Sequence, residues 1–442
     1  MSQSPNKCAI DPELCRGIPQ TWYLDTLQTR QSWPELDHEL DVDVCIVGGG
    51  LAGLCTGVEL IERGMKVAIL EANSVGWGAS GRNAGIVAAG FACEVDELKR
   101  KLGSEKTQLL FNKSVEGVDW VRTRIEQLVP DAFMGKGLLS LDLHHSEFPK
   151  SEADVLQSQP EDQKEEVLSR EDIWRMLKTG FYSGGTRDTS SFHIHPMRYV
   201  QGLAGYFCNS GGMIFEHSPA TALDHTVSGY VVRTPKNLVR AKTVMICTGA
   251  YSKRIFPAAG NYVIPVSTYV VVSAPLTQAQ HAVIDTQQAI ADTRRAGDYY
   301  RKLEDGRLLW GGKINTFKSP PQNLKRIMER AILKVYPQLK GLKLEYAWTG
   351  MMSYATHKMP IIQNPKQDLW YASCFGGHGL NTTALAGQLV ASAIANNDES
   401  WKCLSDMGYG FRLGGLSRLA VQTSYWGMQG IDMYRSVMAR LR

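Results

Sequence analysis

VDVCIVGGGLAG, residues 42–53, reads as a buried parallel strand that runs into Gly48-x-Gly50-x-x-Gly53 and then into an apolar-periodic helix. A near-continuous run of Val, Ile and Cys suits a strand covered on both faces. Gly48 allows the tight turn, Gly50 lets a phosphate approach the backbone, and Gly53 lets helix and strand pack closely. The helix N-terminus then presents N–H groups and the positive end of a dipole to a pyrophosphate. Further on, the run KVAIL delivers Glu71 at the end of a second strand, where a ribose hydroxyl would lie. Strand, glycines, helix and acid in register predict a dinucleotide-binding, doubly wound α/β unit.

The rest of the chain bounds what such a unit serves. With 442 residues, 43% of them hydrophobic, the chain can bury a large core and divide into two or more domains. A formal net charge of +4 gives no reason to expect nucleic acid, so a small polar metabolite is the expected partner. The nine cysteines form no CxxC pair, and Cys45 and Cys247 sit inside apolar runs, a reduced pattern that points to the cytoplasm. The first residues, MSQSPNKCAIDPELCRG, lack a signal-length apolar stretch, and nowhere do eighteen apolar residues run uninterrupted. Neither secretion by that route nor membrane spanning is expected.

Along the chain, residues 1–40 read as an arm whose Trp22, Tyr23 and Trp33 dock on the body. A discontinuous nucleotide domain is expected from 41–110, 190–255 and 345–400. A substrate domain built on an antiparallel sheet is expected from 111–189 and 256–344. Within the latter, the polar tract near 146–174 reads as an exposed helical excursion. TVMICTGA, residues 243–250, is a second buried strand whose Gly249 lets the chain pass close to a bound dinucleotide. The last part, 401–442, includes a segment with five arginines and one acid at amphipathic spacing. It suits either packing on the protein body or peripheral contact with an anionic membrane.

Two glycine-rich loops distinguish a flavin from a nicotinamide cofactor. GWGASGRNAG, residues 76–85, offers Gly78, Ala79, Ser80, Arg82, Asn83, Ala84 and Gly85 to an extended cofactor. In CFGGHGL, Gly376, Gly377, His378, Gly379 and Leu380 open a second helix, whose N-terminus suits negative charge on a reduced isoalloxazine ring. An NAD(P)H-dependent reductase is disfavoured because no second GxGxxG fingerprint is found.

Together with HIHP, TVMICTGA, DGRLLWGG and CFGGHGLNTTALAG, these motifs resemble the D-amino-acid oxidase/glycine oxidase superfamily of FAD-dependent amine oxidoreductases. Within it the chain is most similar to the γ-glutamylputrescine oxidoreductase-like and L-pipecolate oxidase-like branch. The resemblance implies FAD contacts at Gly48, Gly50, Leu51, Ala52, Glu71, Ala79, Ser80, Asn83, Ala84, Gly85, Ala220, Gly249 and residues 376–380. It also implies oxidation of a C–N bond, with hydride transfer from a neutral amine to flavin N5 and an imine product. Two departures stand out. WTGMMSYATHKMP has Gly350 or Met351 where some sarcosine oxidases attach FAD through a cysteine, so FAD is expected to be non-covalent. Leu308, Leu309 and Trp310 stand near the place of those oxidases' oxygen-activating lysine, with Lys313 a little beyond, which leaves oxygen or a membrane quinone as acceptor.

Hydride transfer from an amine needs no strong base at carbon, so the substrate groups sought are a carboxylate clamp and hydrogen-bonding partners. Arg301, beside Tyr299 and Tyr300, is the expected clamp; Tyr300 and Tyr354 are expected to hydrogen-bond the substrate. His357 and His378 are the histidines to test, and none is spaced like a metal ligand set. Oxidation of a 2-hydroxy acid on the same fold, with His357 as base, is the competing reading. A non-catalytic flavin-binding interaction protein is a further one.

Overall fold

The structure is a computed structural model that describes residues 20–143, 165–408 (except 254, 295–296 and 317–320), 421–427 and 430. Numbered in chain order, its strands are β1 Leu40–Val47, β2 Val67–Leu70, β3 Ile86–Val87, β4 Phe133–Asp142, β5 Glu166–Ser169 and β6 Gly184–Ile194. There follow β7 Met213–Phe215, β8 Ala222–Thr226, β9 Gly229–Arg233, β10 Leu238–Ile246, β11 Ile264–Pro275 and β12 Ala289–Asp292. The last are β13 Tyr299–Lys302, β14 Arg307–Asn315, β15 Leu344–Tyr354, β16 Ile361–Lys366 and β17 Leu369–Ser373.

These strands form two sheets. The first has the order β16-β17-β10-β1-β2-β7, with the β8–β9 hairpin attached to β10. Its centre is parallel, with Val44 opposite Val67 of β2 on one side and Thr243 of β10 on the other. The apolar runs of β1 and β10 are buried between layers on both faces. Val44 and Ile46 pack under the helices Leu51–Ile61 and Gly379–Asn396, while Cys45, Val47 and Val244 face a second cluster with Tyr371 and Tyr262. The chain leaves β1 toward β2 on one flank and returns to β10 on the other, so the carboxyl ends of β1 and β10 form a topological switch point, where open α/β sheets bind ligands.

The second sheet has the order β15-β11-β14-β13-β12-β4-β6-β3, with β5 on β6. It is antiparallel apart from the β12–β4 pair. One face packs on the helix Leu324–Val335 through Val271, Tyr300, Trp310, Met328 and Ile332. The other face looks toward the switch point. β3, inside the stretch 41–110, belongs to this sheet, where Ile86 lies opposite His193 of β6. Of the polar tract, residues 144–164 lie outside the described residues; beyond them β5 leads into the helix Arg170–Leu177. Trp22 and Tyr23 of the N-terminal arm are buried, and the Tyr23 hydroxyl donates to the Asn83 carbonyl at 2.8 Å.

Candidate active site

One cavity of about 740 Å³ runs from the switch point to the open face of the second sheet. At the first end Gly48 turns the chain at φ +119, and a Cβ there would stand 2.8 Å from the Cys247 carbonyl oxygen. Gly50 caps the helix Leu51–Ile61 without offering a side-chain oxygen, and a Cβ on it would meet Ser80 Oγ at 2.9 Å. Gly53 does not line the cavity. A Cβ there would fall 2.1 Å from the Gly48 carbonyl oxygen, so it serves the close packing of helix on strand.

Glu71 lines the cavity beside these glycines. Its carboxylate accepts from Gly49 N at 2.7 Å and Asn73 N at 2.8 Å. Burial raises its pKa, opposed by those backbone donors. The loop 76–85 crosses above. Ser80 Oγ accepts from Leu51 N at 2.9 Å, and Asn83 closes its own turn through Ala79 O, Ser80 O and Gly85 N. Gly78, Ala79, Arg82, Ala84, Gly85, Ala220, Gly249, Leu51 and Ala52 also line the cavity.

At the far end Gly376, Gly377, His378, Gly379 and Leu380 form the wall, with His378 as the N-cap of the helix Gly379–Asn396. Gly376 is required there because a Cβ would lie 2.5 Å from the ring of Tyr354. Tyr354, Tyr299 and Thr268 complete this region. Burial raises both tyrosine phenols to about 12, and burial lowers His378 to about 4. Further out, Asp298 accepts from Lys313 Nζ at 2.9 Å and Arg294 Nη2 at 3.0 Å, and Arg294 also binds Asp292.

Whether FAD fits can be tested on buried polar atoms. Among the described residues Trp77 Nε1, Arg82 Nη2 and His378 Nδ1, all on cavity-lining side chains, have no hydrogen-bond partner. Buried groups of this kind are satisfied in native proteins, so a polar ligand is expected to supply the missing partners. The glycine cradle beside Glu71 and the second helix N-terminus suit the pyrophosphate, ribose and ring of FAD.

Three sequence expectations need correction. Tyr300 faces away from the cavity, because side chains alternate along a strand and Tyr299 takes the inward position. Its ring stacks on Trp310 at 4.0 Å, and its hydroxyl lies 3.1 Å from that of Tyr182 and 2.9 Å from that of Tyr336. Arg301 is fully buried beneath the 84–85 turn and does not line the cavity. It donates to Ala84 O at 2.8 Å, Ile194 O at 2.7 Å and His193 Nδ1 at 3.0 Å, so it holds the loop in place and cannot reach a substrate carboxylate. His357 is 5% exposed, accepts from Met359 N at 3.1 Å and also lies off the cavity, so it cannot serve as a base at the substrate.

The family follows from this combination of cradle, loop and second helix end, and from a direct match: residues 43–393 fit DAO, FAD dependent oxidoreductase. The chain belongs to the DAO family. Its members are FAD-dependent oxidoreductases, and so is this chain. The chain is 30% identical over 431 residues to a probable oxidoreductase OrdL of Haemophilus influenzae, covering 94% of this chain and 98% of the relative. It is also 30% identical over 390 residues to gamma-glutamylputrescine oxidoreductase of Escherichia coli, covering 88% and 91%. In fold it resembles L-proline dehydrogenase from P. horikoshii, with TM-score 0.69, 18% identity, and 85% and 97% of the two chains covered. Among the described residues no helix is long and apolar enough to cross a membrane.

Sequence reading missed Trp77, Tyr251, Thr268, Asp298 and Arg294 as cavity residues. Only Asp298, next to a Gly in a turn before paired tyrosines, carried a local signal.

Proposed function

We propose that this DAO-family enzyme oxidises the primary amine of an acylated diamine, of the class that includes γ-glutamylputrescine, to an imine that water then hydrolyses. The observation that carries this reading is one continuous cavity. It joins the cofactor cradle at Gly48–Ala52 to a wall of Tyr299, Tyr354 and His378, then continues to the charged group Asp298, Lys313 and Arg294. The named relative of Escherichia coli supports the substrate class. An acylated diamine with an amino-acid end carries both signs of charge at that end, which suits a patch that offers a carboxylate and two cations.

Bound FAD supplies the two-electron acceptor for the amine's C–H bond. The chain's own residues bind, orient and exclude water. Loop 76–85 and the strand β15 enclose the reacting centre, with Arg82 stacked over Trp77 at 4.5 Å and bonded to Thr349 O at 3.2 Å. Arg82 Nη2, buried at the cavity wall, has no hydrogen-bond partner, and we assign it to anionic oxygen on the cofactor or substrate. The N-terminus of the helix Gly379–Asn396 directs its dipole toward charge gained by the cofactor. FAD is held without a covalent link, because β15 presents Gly350, Met351 and Met352 to the cavity.

His378 is neutral well above its pKa of about 4, and Tyr299 and Tyr354 keep their protons to about 12. None of the three can take the ammonium proton near pH 7, so the substrate binds as the free amine and its proton goes to water. Oxygen or a quinone then reoxidises the enzyme, and stopped-flow mixing of reduced enzyme with each distinguishes them. The substrate reading is tested by anaerobic titration of the bound flavin. Acylated diamines are expected to bleach it at lower concentration than cyclic imino acids, with 2-hydroxy acids inert. Bleaching by hydroxy acids alone would refute the reading.

A further inference from the structure

The family match ends at residue 393, yet a residue far beyond it forms part of the cavity wall. Residues 421–427 are helical, and Gln422 and Tyr425, three positions apart, lie on one face at 3% and 5% exposure. Trp426, the next residue, is 53% exposed. The docking has a specific cause. β14 pairs with β13 only as far as Gly311 opposite Tyr299, so beyond that point one edge of β14 has no strand partner among the described residues. Backbone N–H groups at such an edge need other acceptors. Tyr425 Oη accepts from Ile314 N at 3.2 Å, and Gln422 Oε1 accepts from Thr316 N at 3.0 Å and Thr316 Oγ1 at 3.2 Å. Alternate N–H groups of the free edge are thus read by two side chains of one helical turn. Lys313, bound to Asp298, lines the cavity beside Tyr425.

We infer that the helix 421–427 is the outer wall of the substrate end of the cavity and that Tyr425 determines which amines fit. This rests on the amine-oxidising reading above. Tyr425 meets the distal, non-reacting end of the substrate beside the Asp298–Lys313 pair, and its ring limits chain length. It is a specificity-determining residue remote from the cofactor cradle at Gly48–Glu71.

The test uses the full-length holoenzyme and a series of acylated linear diamines differing by single methylenes, with substrate Kd read from anaerobic flavin bleaching. Tyr425→Ala is expected to weaken the best wild-type amine about tenfold and to move the optimum to a longer chain, since one methylene in a pocket is worth about tenfold or more. Tyr425→Phe, which keeps the ring, is expected to retain the wild-type optimum. Gln422→Ala, which loosens the docking, is expected to follow Tyr425→Ala. The FAD content is expected to stay within about twofold throughout, because Tyr425 lies away from the cofactor cradle. An unchanged chain-length profile in Tyr425→Ala would overturn the inference, as would loss of FAD, which would place the residue in the cofactor cradle. Iodide quenching of flavin fluorescence tests the wall without any amine, so it separates failure of this inference from failure of the substrate reading. Quenching is expected to rise in Tyr425→Ala and Gln422→Ala; equal quenching in wild type and both variants would also overturn it.

Discussion

Arg301 illustrates how far residue type alone can mislead. A Tyr-Tyr-Arg run on a substrate-side strand suits a carboxylate clamp, but strand alternation and the loop lying above decide whether the guanidinium meets substrate. Here its donors go to Ala84 O, Ile194 O and His193, and it has become the fixing point of a cofactor loop. Removing it leaves two buried carbonyls and a ring nitrogen without their donor. Arg301→Ala is expected to cost roughly 2–4 kcal/mol in denaturant unfolding and to weaken FAD retention. Arg301→Lys is expected to recover little, because an ammonium cannot reproduce the fork. His193 and His195 share this environment. His193 Nε2 lies 2.8 Å from Gln287 O, and His195 Nδ1 accepts from Arg198 N, so both rings are neutral. Burial lowers each pKa to about 3. The unfolded chain therefore binds more protons than the folded one below its ordinary value of about 6.5, and stability falls as pH drops from there toward 3. Thermal unfolding from pH 7 to pH 5 is expected to show a falling Tm, shallower in His193→Gln. A flat profile would show that these rings titrate normally.

At the level of elements, the parts that were legible in the sequence are those whose residue types admit few alternatives. The β1–glycine–helix unit and Glu71 are legible because the turn, the close approach and the helix packing each exclude a Cβ. Gly53→Val therefore tests an element and not only a residue. Its side chain would collide with the Gly48 carbonyl and push the helix Leu51–Ile61 off β1, and the expected result is protein without bound FAD. Gly376→Val is expected to displace Tyr354 and to damage substrate binding more than FAD content. Sequence could not show that β13 turns Tyr299 inward and Tyr300 into a Tyr182–Tyr300–Tyr336 cluster, because both faces of that strand carry a tyrosine. Nor could it place the tail. Amphipathic spacing in 412–442 fits both a membrane surface and the protein body, and what decides for 421–427 is the free edge of β14, a tertiary feature. The rest of that segment, apart from residue 430, lies outside the described residues.

For the whole molecule, the two sheets flank one continuous cavity, with the proposed cofactor anchor contributed by the first hundred residues and the wall of the proposed reacting end by residues some three hundred positions later. Beside the second helix end, Tyr299 and Tyr354 keep their protons and His378 stays neutral near pH 7, so none of the three holds the amine's proton. The acid limb of kcat/KM is therefore expected to follow the free amine's own ionisation, rising with pH and shifting when a less basic amine is used. His378→Asn is expected to leave that limb in place; a limb fixed near pH 6.5 for every amine would require a histidine base instead. The central claim, that this cavity transfers hydride from the carbon of an amine, is tested most directly by anaerobic stopped-flow reduction of the bound flavin. An acylated diamine deuterated at the carbon bearing the amine should be compared with its protiated form. The account predicts bleaching that saturates with amine and is severalfold slower with deuterium. Absence of bleaching, or bleaching at equal rates with both at saturation, would contradict it.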